Sequence, residues 1–149
     1  MDKKRIYISG KIGENPISDA TRKKFALAEK MLRGRGYDVF NPTCEEWVKE
    51  LHKNHLRDTM QQPHGEKVAF YDYALLRDLM VLATCDAVYF LDDFAKSGGA
   101  GTEYSYALAI RRLQTFFQDA DDAQCFANSE DFDKWRDVWL PIEAEEVGV

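Results

Sequence analysis

A run of glycines leads into a carboxylate at residues 97–103, SGGAGTE. Glycines let backbone amides approach a ligand closely, and a helix start beyond them favours an anion. Glu103 is the first charged side chain of this run. Two readings fit it. In the first turn of a helix its charge meets the positive helix end, worth roughly 0.3–1 kcal/mol; spacing alone favours this plainer reading. Held ionised by the same field and left open by the glycines, the carboxylate could instead attack an anomeric carbon. That chemistry needs a second carboxyl group to protonate or orient the leaving group, and retaining glycosidases hold such a pair roughly 5–5.5 Å apart. Asp78 is the candidate, since it is flanked by Leu75, Leu76 and Leu79 and a charge in an apolar stretch needs a partner or a purpose. Pairing with Arg77 or Arg111, or plain exposure, would also account for it.

Other residues could serve the same site. Tyr7 and Ser9 share one face of a strand, with Ile6 and Ile8 on the other. Tyr7 is either a core aromatic or a hydroxyl that reaches the site. Lys11 could offer a point charge to a phosphate, or be a surface lysine. Asp92 and Asp93 follow a buried strand and could equally belong to a solvated loop. His52 and His55 lie three apart on a helix near Cys44, but no full metal-ligand set is visible and a surface helix is the better account. The glycine loop lacks the GK[ST] ending of a Walker loop and is not GxGxxG.

The elements that must position these residues alternate. KRIYIS (4–9) reads as a strand, and a helix capped by Ser18 or Asp19 runs to Gly34 or Gly36. YDVFNP reads as a second strand and EEWVKELHKNHL as an amphipathic helix. TMQQPHGEK reads as a mobile loop able to act as a lid. Residues 67–84 read as a helix and DAVYFL as a strand buried on both faces. A helix from about Ala100 to Arg112, a short strand QTFFQ, an irregular acidic stretch at 119–130 and a closing helix FDKWRDVWL complete the reading, the last with two tryptophans on its buried side. Such alternation predicts a compact α/β domain with a mostly parallel sheet between helices. The core spans about residues 4–117, with an atypical segment at 118–149. Ligands of such sheets bind at the carboxyl ends of the strands, where both glycine-bearing loops, 10–13 and 97–101, are expected.

Composition narrows the partners. The chain has 149 residues and a net charge of -6, which disfavours nucleic acid polymers and anionic membranes. No apolar run is long enough to span a bilayer and the N-terminus lacks a signal-peptide core, so a cytoplasmic location is expected. Three spaced cysteines, Cys44, Cys85 and Cys125, suggest no disulfide framework.

Three stretches in order, IYISGKIG, RDLMVLATCDAVYFL and SGGAGTEYSYALA, resemble the nucleoside 2-deoxyribosyltransferase superfamily, which includes the 2′-deoxynucleoside 5′-phosphate N-hydrolases. The likeness covers roughly residues 4–112 and is strongest to the small uncharacterised members. It implies an α/β flavodoxin-like or Rossmann-like three-layer sandwich with a mostly parallel central sheet, a homodimer or higher homo-oligomer, and a covalent 2-deoxyribosyl ester on a glutamate. Glu103 falls on that glutamate, Asp78 on the aspartate that assists the leaving base, and Tyr7 on the tyrosine that orients the nucleophile. Ser97 and Gly99 match a Ser-x-Gly-x-x-x-Glu pattern at the 5′-phosphate, and Gly10 matches a first-loop glycine. The expected substrate contacts are therefore Ser9, Gly10, Lys11, Ile12, Asp92, Ser97, Gly98 and Gly99, with no cofactor and no metal. Gly13 stands where the hydrolases carry arginine, and Lys11 is the nearest residue able to replace that charge. Residues 113–130 depart from the segment that relatives lend to a neighbouring subunit; Asn128 and Ser129 are the possible donors. The expected activity is cleavage or transfer of the N-glycosidic bond of a 2′-deoxyribonucleoside or its 5′-monophosphate. The alternatives are a nucleotide or nucleotide-sugar binding module on the same fold and, less favoured, an interaction protein.

Overall fold

Four short segments rich in β-branched and aromatic residues pair into one sheet. They are β1 (Arg5–Ser9), β2 (Asp38–Phe40), β3 (Ala87–Phe90) and β4 (Gln114–Phe117). The computed structural model describes residues 3–110, 112–127 and 133–143. Among these, the sheet has the order β2-β1-β3-β4, and every pairing is parallel, with Ile6 opposite both Val39 and Ala87 and Tyr89 opposite Phe116. Parallel strands need crossovers, which are supplied by α1 (Asp19–Gly34), α2 (Glu45–Arg57) with α3 (Phe70–Leu82), and α4 (Gly98–Ile110). Two shorter helices follow, α5 (Ala120–Phe126) and α6 (Trp135–Val138).

Strand alternation sorts the core into two layers. Ile6 and Ile8 point to one face with Tyr89 and Phe116, under Phe25, Ala28, Met31 and Leu32 of α1. Tyr7, Val88, Phe90 and Phe117 point to the other, against Leu82 of α3, Ala107 of α4 and Trp135. The result is an α/β fold with helices on both faces of a parallel sheet. None of the described helices is long and apolar enough to cross a membrane.

Several boundaries differ from the sequence reading. Helix α4 begins at Gly98 rather than near Ala100. Ser97 caps it: its Oγ accepts from the Ala100 amide at 3.2 Å, and its carbonyl from the Gly101 amide at 2.8 Å. Glu103 therefore lies in the second turn, beyond the reach of the helix-end field invoked for it. Helix α3 begins at Phe70, because Lys67 is bridged to Gln61. The acidic stretch read as irregular is largely α5; Asp119 Oδ1 accepts from the amides of Asp121 and Asp122 at 2.6 and 3.3 Å, so these acids start a helix. The closing helix has a single turn. Trp135 is buried, but Trp139 is 37% exposed and pairs with Phe117 beside β4.

Gly10, where β1 ends, packs against Leu91, where β3 ends. A Cβ built on Gly10 would stand 2.7 Å from Leu91 Cδ1 and 3.0 Å from its Cβ. Substituting Gly10→Ala is expected to destabilise the protein by about 1–3 kcal/mol, read as a lower urea midpoint with an unchanged denaturant slope.

Candidate active site

The parallel order changes direction between β1 and β3, and a crevice opens there at the carboxyl ends of the strands. A cavity of about 310 Å³ occupies it, the size expected for a small-molecule ligand. Its polar floor comes from three elements. Strand β1 contributes Tyr7, helix α3 Asp78 and helix α4 Glu103. Gly10, Ile12, Gly13 and Glu14 of the first loop form one rim, and Ser97, Gly99 and Ala100 at the start of α4 form another. Val48, Leu51, His52, Phe70, Tyr71 and Leu75, from α2 and α3, form an apolar wall. The His52 ring stacks on Phe70 with centroids 4.0 Å apart and planes at 5°.

Glu103 is 5% exposed. Ser9, the next residue on the same strand face as Tyr7, donates its Oγ proton to Glu103 Oε1 at 2.8 Å. Oε2 is buried with no hydrogen bond, and so is Tyr7 Oη, which lies against the same carboxyl. Two adjacent buried polar atoms that make no well-formed hydrogen bond, even with one another, are places for ligand atoms at a cavity wall. Across the cavity, Trp47 Nε1 of α2 donates to Asp78 Oδ1 at 2.8 Å.

Burial dominates the electrostatics of this pair. It raises the Glu103 carboxyl to about 8, with the Asp78 charge adding to the rise, while the hydroxyls of Tyr7 and Ser9 oppose it. Burial raises Asp78 to about 7, and the Trp47 indole opposes that rise. Burial first, then Glu103, pushes the Tyr7 hydroxyl well above its ordinary value. Glu103 is thus neither exposed nor held ionised by a helix end, as the sequence reading expected. It is a buried acid that gives up its proton late, and perturbed carboxyls lining a cleft mark a functional-site candidate.

Tyr7, Gly10, Ile12, Asp78, Ser97, Gly99 and Glu103 all line the cavity. Ser9 stands behind them and reaches the site through Glu103. Three expected contacts lie off the cavity lining. Lys11 is exposed, with its backbone amide bound to Asp93 Oδ1 at 3.0 Å. Asp92 is exposed, with its amide donating to Gln118 Oε1 at 2.9 Å. Gly98 faces open space. Arg111, Asn128 and Ser129 lie outside the described residues. The expected lid at 59–67 is a small hairpin with Gly65 at its turn (φ +85°); none of its residues lines the cavity. Sequence reasoning missed Glu14, Trp47, Phe70 and Tyr71, and it placed His52 on a surface helix, whereas His52 lines the cavity. The usable signal was the spacing of Trp47, Val48, Leu51 and His52, which share the inner face of α2. Among the described residues no cluster of three His, Cys, Asp or Glu side chains could hold a metal ion.

A family model described as a domain of unknown function, DUF4406, matches residues 4–115. Among solved structures, a 2-deoxyribosyltransferase from the psychrotolerant bacterium Bacillus psychrosaccharolyticus aligns over 93% of this chain and 97% of its own, at 20% identity and a TM-score of 0.42. No curated protein sequence matches the chain.

The raised carboxyls give stability a definite pH dependence. In the unfolded chain both groups lose their protons near pH 4; in the folded protein they keep them to about 7 and 8. The native state binds more protons between those limits, so stability is greatest below about pH 4 for these two groups and falls as pH rises through the folded values. Replacing Glu103→Gln removes one buried charge. The variant is expected to be more stable than wild type by on the order of 2 kcal/mol at pH 8.5, with little gain at pH 5, measured by urea denaturation at both.

Proposed function

The chain belongs to the DUF4406 family, and on that premise we propose that it cleaves or transfers the N-glycosidic bond of a 2′-deoxyribonucleoside or its 5′-monophosphate through a covalent glycosyl ester on Glu103. One observation carries this reading: Glu103 Oε2 and Tyr7 Oη are buried, unpartnered and adjacent at the wall of a cavity that Asp78 also lines. The three stretches that resemble the deoxyribosyltransferase superfamily supply the same residues.

The chemistry follows from the contacts. Ser9 occupies Oε1, which leaves Oε2 to attack C1′. As the C1′–N bond breaks, its electron pair goes to the base nitrogen, and Asp78 in its acid form delivers a proton there. Glu103, the later of the two to ionise, keeps the shared proton at rest. In the reactive form that proton sits on Asp78 and Glu103 is the carboxylate, a form that positive charge developing at C1′ favours and to which Tyr7 Oη donates. Water or a second base, giving its proton to the Asp78 carboxylate, then attacks C1′ on the opposite side, breaks the ester and restores the Glu103 carboxylate, so configuration is retained. Trp47 holds Asp78 Oδ1, so Oδ2 is the oxygen that carries the transferred proton. The apolar wall with the His52–Phe70 stack suits a planar base. Nucleophile and acid are both side chains of this protein, so the steps above draw on no further group.

Incubation with 2′-deoxy-2′-fluoro nucleosides and their 5′-monophosphates, followed by intact mass, tests the proposal. A glycosyl adduct is expected on wild type and none on Glu103→Ala. Its rate is expected to peak between pH 7 and 8, where one of two carboxyls at about 7 and 8 keeps a proton. Binding of these compounds with no adduct at any pH would instead make the cavity a nucleotide-binding site without glycosyl chemistry.

A further inference from the structure

Glu14 lines the cavity from the first loop, and its two oxygens differ. Oε1 accepts three hydrogen bonds: from the Ser18 amide at 3.4 Å, Ser18 Oγ at 3.0 Å and Thr21 Oγ1 at 2.6 Å. These bonds, the Thr21 hydroxyl first, hold the carboxyl below its ordinary range. Oε2 receives no hydrogen bond from the described residues. The side chain is tethered by one oxygen and keeps a free acceptor and a full negative charge at the cavity rim.

Among the described residues no lysine or arginine lines the cavity. The cations that the first loop and α1 bring to this end make their direct contacts with other groups, and the Lys24 charge adds only the smallest contribution to the lowering at Glu14. Lys24 pairs with Asp93 and also donates to the Lys11 carbonyl. Arg22 donates to the Thr43 carbonyl at 2.6 Å. Lys11 lies off the lining. The positive feature that remains is the start of α4, at Ser97, Gly99 and Ala100, equivalent to roughly half an elementary charge. Against it stands the full charge of Glu14.

We propose that Glu14 selects an uncharged nucleoside and rejects its 5′-monophosphate, by accepting a hydrogen bond from a sugar hydroxyl on Oε2. A hydroxyl has a proton to give to a carboxylate. A phosphate at neutral pH brings roughly 1.5 to 2 negative charges and almost no proton, so it meets repulsion where the hydroxyl meets an acceptor. The identity of the ligand as a nucleoside rests on the glycosyl-transfer reading; the selection against phosphate rests on charge.

Calorimetric binding of a 2′-deoxy-2′-fluoro nucleoside and of its 5′-monophosphate, at one fixed ionic strength, tests this on wild type, Glu14→Gln and Asp19→Asn. Wild type is expected to favour the nucleoside by about tenfold or more. Glu14→Gln, which keeps an acceptor oxygen for Ser18 and Thr21, is expected to shrink that preference by about tenfold. Asp19→Asn changes net charge equally but lies off the cavity, and is expected to leave the ratio as in wild type. Monophosphate bound as tightly as nucleoside by wild type, or a ratio unmoved by Glu14→Gln, overturns the proposal. Selective binding that never yields a covalent adduct sustains it while ending the glycosyl-transfer reading. Binding of neither compound overturns both.

Discussion

The hydrogen bond from Ser9 Oγ to Glu103 Oε1, 2.8 Å long and buried, is the contact around which this protein is arranged. A carboxyl group taken out of water must be neutral, paired or hydrogen-bonded. Here it is neutral over most of the pH range and hydrogen-bonded through one oxygen. Ser9 satisfies one oxygen, burial keeps the group protonated to about pH 8, and the other oxygen is left unpartnered. Strand β1 and helix α4 meet through this bond, across 94 residues of chain. The Ser97 cap sets where α4 begins, and thereby which turn presents Glu103 to the strand.

Aromatic packing carries the constraint across the cavity. Tyr7, beside Glu103, stacks on Phe40 of β2 with centroids 5.5 Å apart. Phe40 meets the edge of Trp47 at 5.2 Å, and Trp47 donates to Asp78. The two carboxyls are thus framed by one continuous run of rings spanning β1, β2 and α2. Rings locked by packing hold polar groups in place more firmly than a loop does. The same arrangement explains why α2, which crosses from β2 towards α3, contributes to the site at all: its inner face holds Asp78 and closes the apolar wall.

Much of the fold was legible because the relevant signals are local. The four residues of β3 are all buried and apolar, as a strand between two helical layers requires. The apolar positions of α1 recur at helical spacing, and Ser18 caps that helix as its side-chain type suggests. The errors are local as well. The glycines at 98, 99 and 101 read as loop, yet they sit in the first turns of α4 because Ser97 satisfies the amides there. The acids at 119–122 read as solvated irregular chain, yet their side chains and charges suit the start of α5. At the site, residue type and order pointed to Tyr7, Asp78 and Glu103, which do line one cavity. The pattern on α2 marks an inner face but cannot distinguish packing on a core from lining a cavity, so Trp47 went unread and His52 read as a surface residue.

The sequence by itself determined the alternation of strands and helices and the two glycine-bearing strand ends, and offered Asp78 and Glu103 as candidate carboxyls, because periodicity, caps and side-chain type act over a few residues. Tertiary structure alone decided the protonation of those carboxyls and the sign of the charge at the cavity rim. Glu103 became a buried acid rather than a helix-end anion, Lys11 fell outside the cavity lining and Glu14 within it. Burial and proximity are properties of groups that the fold brings together from distant parts of the chain, and in a low-dielectric cavity they outweigh the local preferences written along it.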